Sequence, residues 1–248
     1  MCIRDRGSLE QLRDILQQTW RRGGSVMIPA FAVGRTQDVL FHLGCLHHAG
    51  ELDNWQVFLD SPMAIAVTRV YDRGLDLLDG DEVRHLSDVH KASLETFLPT
   101  LNLAISTEES MAINRMKGGA IIIAGSGMCT GGRIRHHFKQ RIWDDRNTII
   151  FTGYQAQGTL GRVLVDGAKR VKEYNEDHVI KCQVETLGGL SAHAGQSGLI
   201  RWIGNFEPPP RTILVHGEPR AQDALRDKLW NELGLAVEVP ARGESIVY

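Results

Sequence analysis

The sequence lacks the features of several large protein classes. Its four cysteines, Cys2, Cys45, Cys129 and Cys182, are far apart and form no CxxC pair, so neither a disulfide framework nor a zinc ribbon is expected. Widely spaced free thiols are typical of a reducing compartment, and we expect a cytoplasmic protein. No apolar run approaches the length of a membrane span, and the opening MCIRDRGSLEQ has no apolar core of a signal peptide. No association with a membrane is therefore expected.

The chain also lacks a large net charge. Its 28 Lys and Arg residues and 30 Asp and Glu residues leave a formal charge of −2. A polyanion could therefore bind only through a local basic lining and oriented backbone amides, because no general field attracts it. The 248 residues are 42% hydrophobic and 23% charged, an ordinary globular composition that suits one large domain or two small ones.

A strand–loop–helix pattern occurs four times before residue 166. Strands are predicted at residues 25–28, 56–59, 120–124 and 148–152, each followed by a helix, at residues 36–47, 64–71, 133–141 and 160–165. This alternation predicts a parallel sheet with flanking helices, whose loops after the strands meet at one edge, where ligands bind. Ser8–Trp20 predicts a further amphipathic helix with Ser8 as its N-cap. Residues 72–117 predict a polar, mostly helical insertion over the sheet, with an edge strand at Asn102–Thr107.

The loop AGSGMCTGGR, at Ala124–Arg133, follows one of these strands and opens a helix. Its glycines let backbone N–H groups approach an anion closely, and the helix N-terminus adds a positive partial charge. The spacing GxGxxxG, without GK[ST], fits neither the dinucleotide fingerprint nor a P-loop. The loop predicts either a phosphate site or a tight turn that requires glycine, and a mononucleotide-binding α/β protein would use it as well.

Two histidines lie among small residues near the C-terminus. His193 lies in LSAHAG, before an amphipathic helix at Ser197–Phe206, and His216 ends the apolar run in TILVHGE. A histidine that follows a buried strand points out of the sheet edge, where metals and ligands bind. A lone loop histidine is more often a solvated residue, and the presence of two such loops is what favours a site.

Six segments in this order carry a family resemblance: IPAFAVGRTQ, LDSPMA, AGSGMCTGGR, FTGYQAQGTLGR, GGLSAHAGQ and ILVHGE. With them the chain resembles the β-CASP branch of the metallo-β-lactamase-fold nucleases, which contains 3′-end cleavage factors for messenger RNA precursors and bacterial RNA-processing hydrolases. The resemblance runs from about Gly24 to the C-terminus. It implies an α/β fold with a parallel sheet and flanking helices, the β-CASP domain, followed by the C-terminal part of a metallo-β-lactamase αββα sandwich. It also implies single-stranded RNA as the partner.

The resemblance assigns roles to single residues. His193 matches the family's histidine beside the scissile phosphate, which makes it the catalytic candidate, and His216 matches a zinc ligand. The candidate RNA- and phosphate-binding residues are Ser126, Gly127, Met128, Arg133, Arg35, Arg162 and Gly217, and the supporting residues are Asp60, Ser191, Tyr154 and Gln157.

Several of these residues have a second interpretation. Arg35 and Arg162 lie at helix starts, where a cation is unfavourable, so each needs a partner; a buried carboxylate such as Asp60 is favoured over RNA phosphate. Asp60 could orient a site residue, but capping of the following helix is favoured. Tyr154 and Gln157 could contact a nucleotide by stacking or hydrogen bonding, and packing of Tyr154 at the base of its loop is the alternative.

One part of the family pattern has no counterpart in the sequence. The family's metal centre uses an HxHxDH run upstream of the first motif, and no HxHxD occurs in this chain. We therefore expect the C-terminal part of a longer two-zinc RNA phosphodiesterase with endonuclease or 5′–3′ exonuclease activity. Because zinc needs three or four protein ligands, this chain alone is expected to be inactive and free of zinc. The alternative is an inactive α/β module that binds RNA or a partner protein.

Two domains are expected, a β-CASP domain at residues 8–168 and a C-terminal metallo-β-lactamase segment at residues 169–248, which opens with a charged hinge at residues 169–177. The family often self-associates, which allows a homodimer. We expect His193 and His216 to face the glycine-lined sheet edge across a shared cleft.

Overall fold

The computed structural model of the protein describes residues 3–74, 93–190 and 193–247. Contacts between Cα atoms divide the chain into two units, Met1–Ser191 and Ala192–Tyr248. The domain boundary that we predict after residue 168 stays a prediction.

The first unit is built on a six-stranded parallel sheet. The strands of this unit are β1 (Val26–Pro29), β2 (Gln56–Leu59), β3 (Leu101–Leu103), β4 (Ala120–Ala124), β5 (Thr148–Phe151), β6 (Arg170–Glu173), β7 (Glu176–Val179) and β8 (Gln183–Thr186). The sheet has the order β3-β2-β4-β1-β5-β8, and β6 and β7 form a separate antiparallel hairpin. The predicted parallel sheet is confirmed. An edge strand is present as predicted, but β3 covers Leu101–Leu103 and not Asn102–Thr107, because a helix begins at Thr107.

Helices cover both faces of the sheet. They are α1 (Ile3–Arg21), α2 (Arg35–His48), α3 (Pro62–Arg73), α4 (Leu94–Phe97), α5 (Thr107–Ala112), α6 (Ile134–Arg141) and α7 (Leu160–Val165), with a 3₁₀ turn at Ile113–Arg115. The prediction of Ser8 as an N-cap is wrong, because α1 begins at Ile3 and Ser8 is buried inside it. Ser8 lies one turn before the buried Leu12, on the face that packs against the core.

The apolar runs of the central strands divide between two cores. Val26 and Ile28 of β1 pack in the same cluster as Leu12 of α1 and Leu40 of α2, whereas Met27 packs with α6 and α7. Successive side chains of a strand point to opposite faces, so a strand that is apolar throughout is buried on both sides. This arrangement explains why β1, β4 and β5 have no polar face.

The segment predicted as a charged hinge is instead the β6–β7 hairpin. Tyr174 and Asn175 connect the two strands with φ values of 51° and 63°, which is the left-handed geometry that two-residue hairpin turns require. Arg135 of α6 fixes the hairpin, since its Nη2 lies 2.6 Å from the carboxylate of Glu173 and its guanidinium stacks over the Tyr174 ring. The charges of this segment therefore pair locally.

The strand predicted at Val179–Leu187 is wrong in its first half. The amides of Lys181 and Cys182 both donate to the carbonyl of Ile142, at 2.8 and 3.0 Å. These bonds take the chain away from β7 before it joins the sheet as β8, next to β5.

The second unit has two helices and two short strands. They are α8 (Gln196–Ile203), β9 (Thr212–Ile213), α9 (Pro219–Leu233) and β10 (Val237–Glu238), and β9 pairs with β10 in parallel. Ile200 and Leu229 are buried, whereas Trp202 and Trp230 are exposed. None of the described helices of the chain combines the length and the apolar composition that crossing a membrane requires.

Candidate functional site

The strand order of the first unit creates a crevice at one point of the sheet edge. The chain leaves β1 through α2 toward β2 on one side, and leaves β4 through α6 toward β5 on the other side. β1 and β4 are neighbours, so the loops that follow them diverge. Ligands of open α/β sheets bind in the crevice outside the carboxyl ends of the strands at this switch point.

A pocket of about 390 Å³ lies in this crevice, which is within the size range of small-ligand sites. The loops after β1, β2 and β4 contribute its walls, including Phe31, Asp60, Met63, Ser126, Gly127 and Arg133. The structure thus brings the LDSPMA and AGSGMCTGGR segments together with the loop after the first strand.

Asp60, at the end of β2, is completely buried at the base of the pocket. Its Oδ1 accepts a hydrogen bond of 2.7 Å from Nη1 of Arg133. Its Oδ2 accepts one of 2.6 Å from the hydroxyl of Ser110 and lies 2.6 Å from Nε2 of His137. Burial alone would raise the pKa of Asp60, but these three hydrogen bonds hold the pKa below its ordinary value. The carboxylate is therefore ionised and links α5 and α6 to the end of β2.

Two interpretations of Asp60 and the arginines are wrong. Ser61, not Asp60, caps α3, since its side chain accepts a hydrogen bond from the amide of Ala64. Asp60 is the partner of neither Arg35 nor Arg162: Arg162 pairs with Asp166, one turn along α7, at 2.8 Å. Asp166 follows Arg162 by four positions, so the two side chains lie on the same helical face and can pair without a long-range contact.

Arg35 is held at the start of α2. Its Nη1 donates to the carbonyl of Leu190 and lies 3.5 Å from the carboxylate of Asp38. Arg133 is also hydrogen-bonded within the protein. It donates to Asp60 and to the carbonyls of Ala104 and Ile105, the last two at 3.0 and 2.9 Å. Both arginines thus order the loops around the crevice, and contact of either with RNA stays a prediction.

His137 is almost completely buried on α6 and is the least expected member of the site. Its Nε2 faces the ionised Asp60, so the proton belongs on Nε2, and its buried Nδ1 has no partner among the described residues. A second proton on Nδ1 would create a buried donor without an acceptor, which costs free energy. Burial accordingly lowers the pKa of His137, although the hydrogen bond to Asp60 opposes the shift. The ring is neutral and donates to Asp60.

The neutral state of His137 predicts a pH dependence of stability. The folded state binds the proton more weakly than the unfolded state, so the free energy of unfolding should fall as the pH drops below about 6.5, by at most about 1.4 kcal/mol per pH unit from this group. His137→Gln keeps an N–H donor for Asp60 and removes the titration. Urea unfolding of both proteins between neutral and mildly acidic pH should show a shallower slope for the variant, and equal slopes would contradict the prediction.

The glycine loop, residues 125–132, is held by its own backbone and by one buried side chain. The amide of Ser126 donates to the carbonyl of Gly131 at 3.1 Å, and the amide of Cys129 donates to Ser126 at 3.1 Å. Gln155, from the loop after β5, donates to the carbonyl of Gly127 at 3.0 Å. In the part of the chain that the structure describes, no residue accepts from the amides of Gly127 and Met128. Gly127 is buried and Met128 is half-buried, so these two N–H groups are unpaired donors at the edge of the loop, of the kind that bind an anion.

Cys129 belongs to the framework of the loop. It is buried with a φ of 58°, and burial raises the pKa of its thiol to about 12. A thiol that stays protonated is a poor nucleophile, so the loop carries no reactive cysteine.

The remaining candidates of the first unit lie in the loop after β5. Tyr154 and Gln157 are exposed there, whereas Gln155 between them is buried. Gln155 therefore packs inside the loop, whereas Tyr154 and Gln157 lie on its surface. Packing of Tyr154 at the base of the loop is therefore wrong, and its contact with a nucleotide stays a prediction.

The two candidate histidines belong to the second unit. His193 is exposed in the loop before α8, as predicted, and His216 is exposed between β9 and α9, followed by the exposed Gly217. His216 has a φ of 62°, a left-handed conformation that non-glycine residues adopt rarely and that is concentrated at functional sites. Ser191 lies outside the described residues. The predicted cleft between these histidines and the glycine-lined sheet edge stays a prediction.

The metal-binding side chains of the described residues fall short of what zinc requires. Within residues 3–74, 93–190 and 193–247, no group of three or more His, Cys, Asp or Glu side chains lies close enough to hold a metal ion. Zinc sites use three or four protein ligands. The described residues therefore do not form a zinc site by themselves.

Three residues that build the site are not among the candidates predicted from the sequence, although two of them, Phe31 and Gln155, lie within the six segments. His137 is one of two adjacent histidines without metal-ligand spacing, but Ile134, His137, Phe138 and Arg141 are the buried positions of α6, and their spacing marks an inner helical face. The sequence pattern does not distinguish Gln155 from its neighbours in FTGYQAQGTLGR. Phe31 could have been noticed as a large aromatic residue in a loop after a buried strand.

The fold and the site define a doubly wound α/β unit with its crevice at the switch point, joined to a smaller α/β unit. Residues 36–164 match the Beta-Casp domain, and residues 177–240 match the Zn-dependent metallo-hydrolase RNA specificity domain. The chain belongs to the β-CASP family of metallo-β-lactamase-fold RNA-processing hydrolases. The resemblance inferred from the six segments is thereby confirmed, and so is the predicted fold class.

Individual relatives agree with this assignment. The chain is 38% identical over 246 residues to Ribonuclease TTHA0252 of Thermus thermophilus, which is 97% of this chain and 54% of that protein. It is 34% identical to the transcription termination factor FttA of Pyrococcus abyssi over 96% of this chain and 37% of the relative. An RNase J-like protein of Methanocaldococcus jannaschii is 31% identical over 94% of this chain and 52% of its own length. The chain spans about half or less of the length of these relatives.

Proposed function

We propose that this chain is the RNA-holding part of a zinc-dependent RNA phosphodiesterase, and that by itself it binds single-stranded RNA without cleaving it. The crevice at the switch point carries the proposal. It combines a pocket, a fixed frame of buried ionic contacts and a glycine loop in which the amides of Gly127 and Met128 have no acceptor among the described residues. Unpaired backbone amides of a glycine loop suit a phosphate group.

The roles of the histidines rest on their positions in the matched segments. His193, exposed before α8, would protonate the leaving oxygen of the RNA, which is general acid catalysis. His216, with its left-handed backbone, would be one ligand of the metal centre of the complete enzyme. When bound, zinc would lower the pKa of a water molecule and polarise the phosphate. The other ligands are not present as a cluster among the described residues.

The absence of a ligand cluster in the described residues is also what favours the second candidate function, an RNA-binding module without catalysis. Both candidates predict that this chain binds RNA without cleaving it, and they differ in whether the complete protein cleaves RNA. Both also predict strong dependence of binding on salt, since phosphate contacts release counterions.

Fluorescence anisotropy with a labelled single-stranded RNA, followed by gel analysis of the same samples, tests the proposal. We expect binding that weakens as salt rises and an intact RNA, with or without added zinc, together with no zinc retained after dialysis. Cleavage, or one tightly held zinc ion per chain, would contradict the proposal that this chain binds RNA without cleaving it. An RNA that does not bind at any salt concentration would overturn the proposal altogether.

A further inference from the structure

Phe31 is the aromatic residue that lines the pocket. It follows β1 directly after Ala30, and 45% of its surface is exposed. Its backbone is held firmly, since its carbonyl accepts hydrogen bonds from the amide and the hydroxyl of the buried Thr36, at 3.2 and 2.8 Å. A large apolar ring is therefore held at a fixed place on the surface, where packing alone does not require it.

The ring lies against the glycine loop. A β-carbon on Gly127 would lie 2.8, 2.9 and 3.0 Å from three ring carbons of Phe31, so glycine at this position allows the loop backbone to touch the ring. The amides of Gly127 and Met128 belong to the same loop. An aromatic surface and an anion site are thus immediate neighbours.

The rest of the pocket suits a flat, largely apolar group. Pro62 and Met63 of α3 face the same space, and Met63 is 69% exposed. Methionine adapts its shape to an aromatic partner and contacts it favourably through sulfur. Ser61 and Ser126 also line the pocket, and their hydroxyl groups accept hydrogen bonds from the amides of Ala64 and Gly131.

We propose that this pocket takes one base of a single-stranded RNA, stacked on the open side of the Phe31 ring, while a phosphate of the same strand lies on the glycine loop. The inference rests on the proposed RNA binding and adds to it a named base site. An apolar peptide would match the ring but would leave the amides of Gly127 and Met128 without an anion, whereas a nucleotide satisfies both. Every base has an aromatic face, so the site accepts any sequence.

The test compares the complete chain with Phe31→Leu, Phe31→Tyr and Trp143→Leu. Trp143 is another exposed aromatic residue, outside the pocket, and it serves as the control for loss of an aromatic surface. The probe is a single-stranded RNA that carries 2-aminopurine, whose fluorescence is quenched by stacking. Loss of one stacked base should weaken the affinity of Phe31→Leu by about 5- to 100-fold. Phe31→Tyr should keep the affinity, and Trp143→Leu should match the unsubstituted chain.

Each outcome bears on the inference in a different way. If the unsubstituted chain binds RNA and Phe31→Leu binds it equally well with the same quenching, the base site is wrong and RNA binding stands. If the unsubstituted chain does not bind RNA, both proposals fail. If Phe31→Leu lowers the mass of an oligomer and leaves RNA affinity unchanged, the pocket is covered by a second copy of the chain, and the base site is again wrong.

Discussion

Replacement of Asp60 by alanine is expected to lower the free energy of unfolding by about 3–5 kcal/mol, which is the usual cost of leaving a buried ionic network without one of its charges. Asp60 has no exposed surface. Its removal leaves Arg133, His137 and Ser110 without their shared acceptor. Because Ser110 and His137 lie on α5 and α6, the loss also removes the side-chain links of these two helices to the end of β2.

The substitution Asp166→Ala is a matched control that distinguishes the effect of burial from the effect of losing a charge. Asp166 also pairs with an arginine, Arg162, but it is 57% exposed, and exposed pairs contribute about 0–1 kcal/mol. Asp166→Ala should therefore change the urea midpoint little. The two variants lose the same chemical group, so a cost for Asp60→Ala as small as that of Asp166→Ala would show that the network does not hold the site together.

Replacement of Gly132 by alanine is expected to cost about 2–5 kcal/mol, from a left-handed residue and a steric overlap together. Gly132 has a φ of 76°, and a β-carbon there would overlap the carbonyl oxygen of Gly125 and lie 2.8 Å from the amide nitrogen of Ser126. The overlap is with backbone atoms, so no side chain can move to relieve it. The glycine loop should open, and RNA binding should weaken with it.

Two other glycines, Gly131 and Gly158, provide the controls. A β-carbon added to Gly131 or to Gly158 would meet no atom within 4 Å, but only Gly158 has a positive φ, of 80°. Gly131→Ala should be nearly neutral, and Gly158→Ala should cost about 1–2 kcal/mol from backbone strain alone. Urea unfolding of the three variants should give this order. A Gly132→Ala variant as stable as Gly131→Ala would contradict the close approach of the loop ends.

Much of the fold could be predicted because burial leaves a direct mark on the sequence. The runs QVFL and AIIIA predict β2 and β4 with their observed bounds, and α7 is predicted over Leu160–Val165, as observed. Short apolar runs between glycine-rich loops are sufficient to predict where these elements begin and end. The position of the candidate site follows from the same pattern, since the loops after parallel strands share one edge.

Other elements depend on contacts that sequence spacing does not report. The β6–β7 hairpin has few apolar residues, and its stability comes from Arg135 on a different element. The first half of the predicted strand at Val179–Leu187 leaves the strand pattern because its amides bond to Ile142, far away in the chain. Charge density alone therefore suggests a hinge where the structure has an ordered turn.

By itself, the sequence determined that the protein has a parallel sheet, that its polar and glycine-rich loops follow the strands, and that its motifs are those of the β-CASP family. These properties are local or repeat at short intervals, so a linear chain displays them. Only the tertiary structure decided that Asp60 pairs with Arg133 and His137, and that Phe31 lies on Gly127 at the mouth of a pocket. Those partners are separated by more than 70 residues and by 96 positions in the case of Phe31 and Gly127. They meet only because the strand order places β1, β2 and β4 side by side.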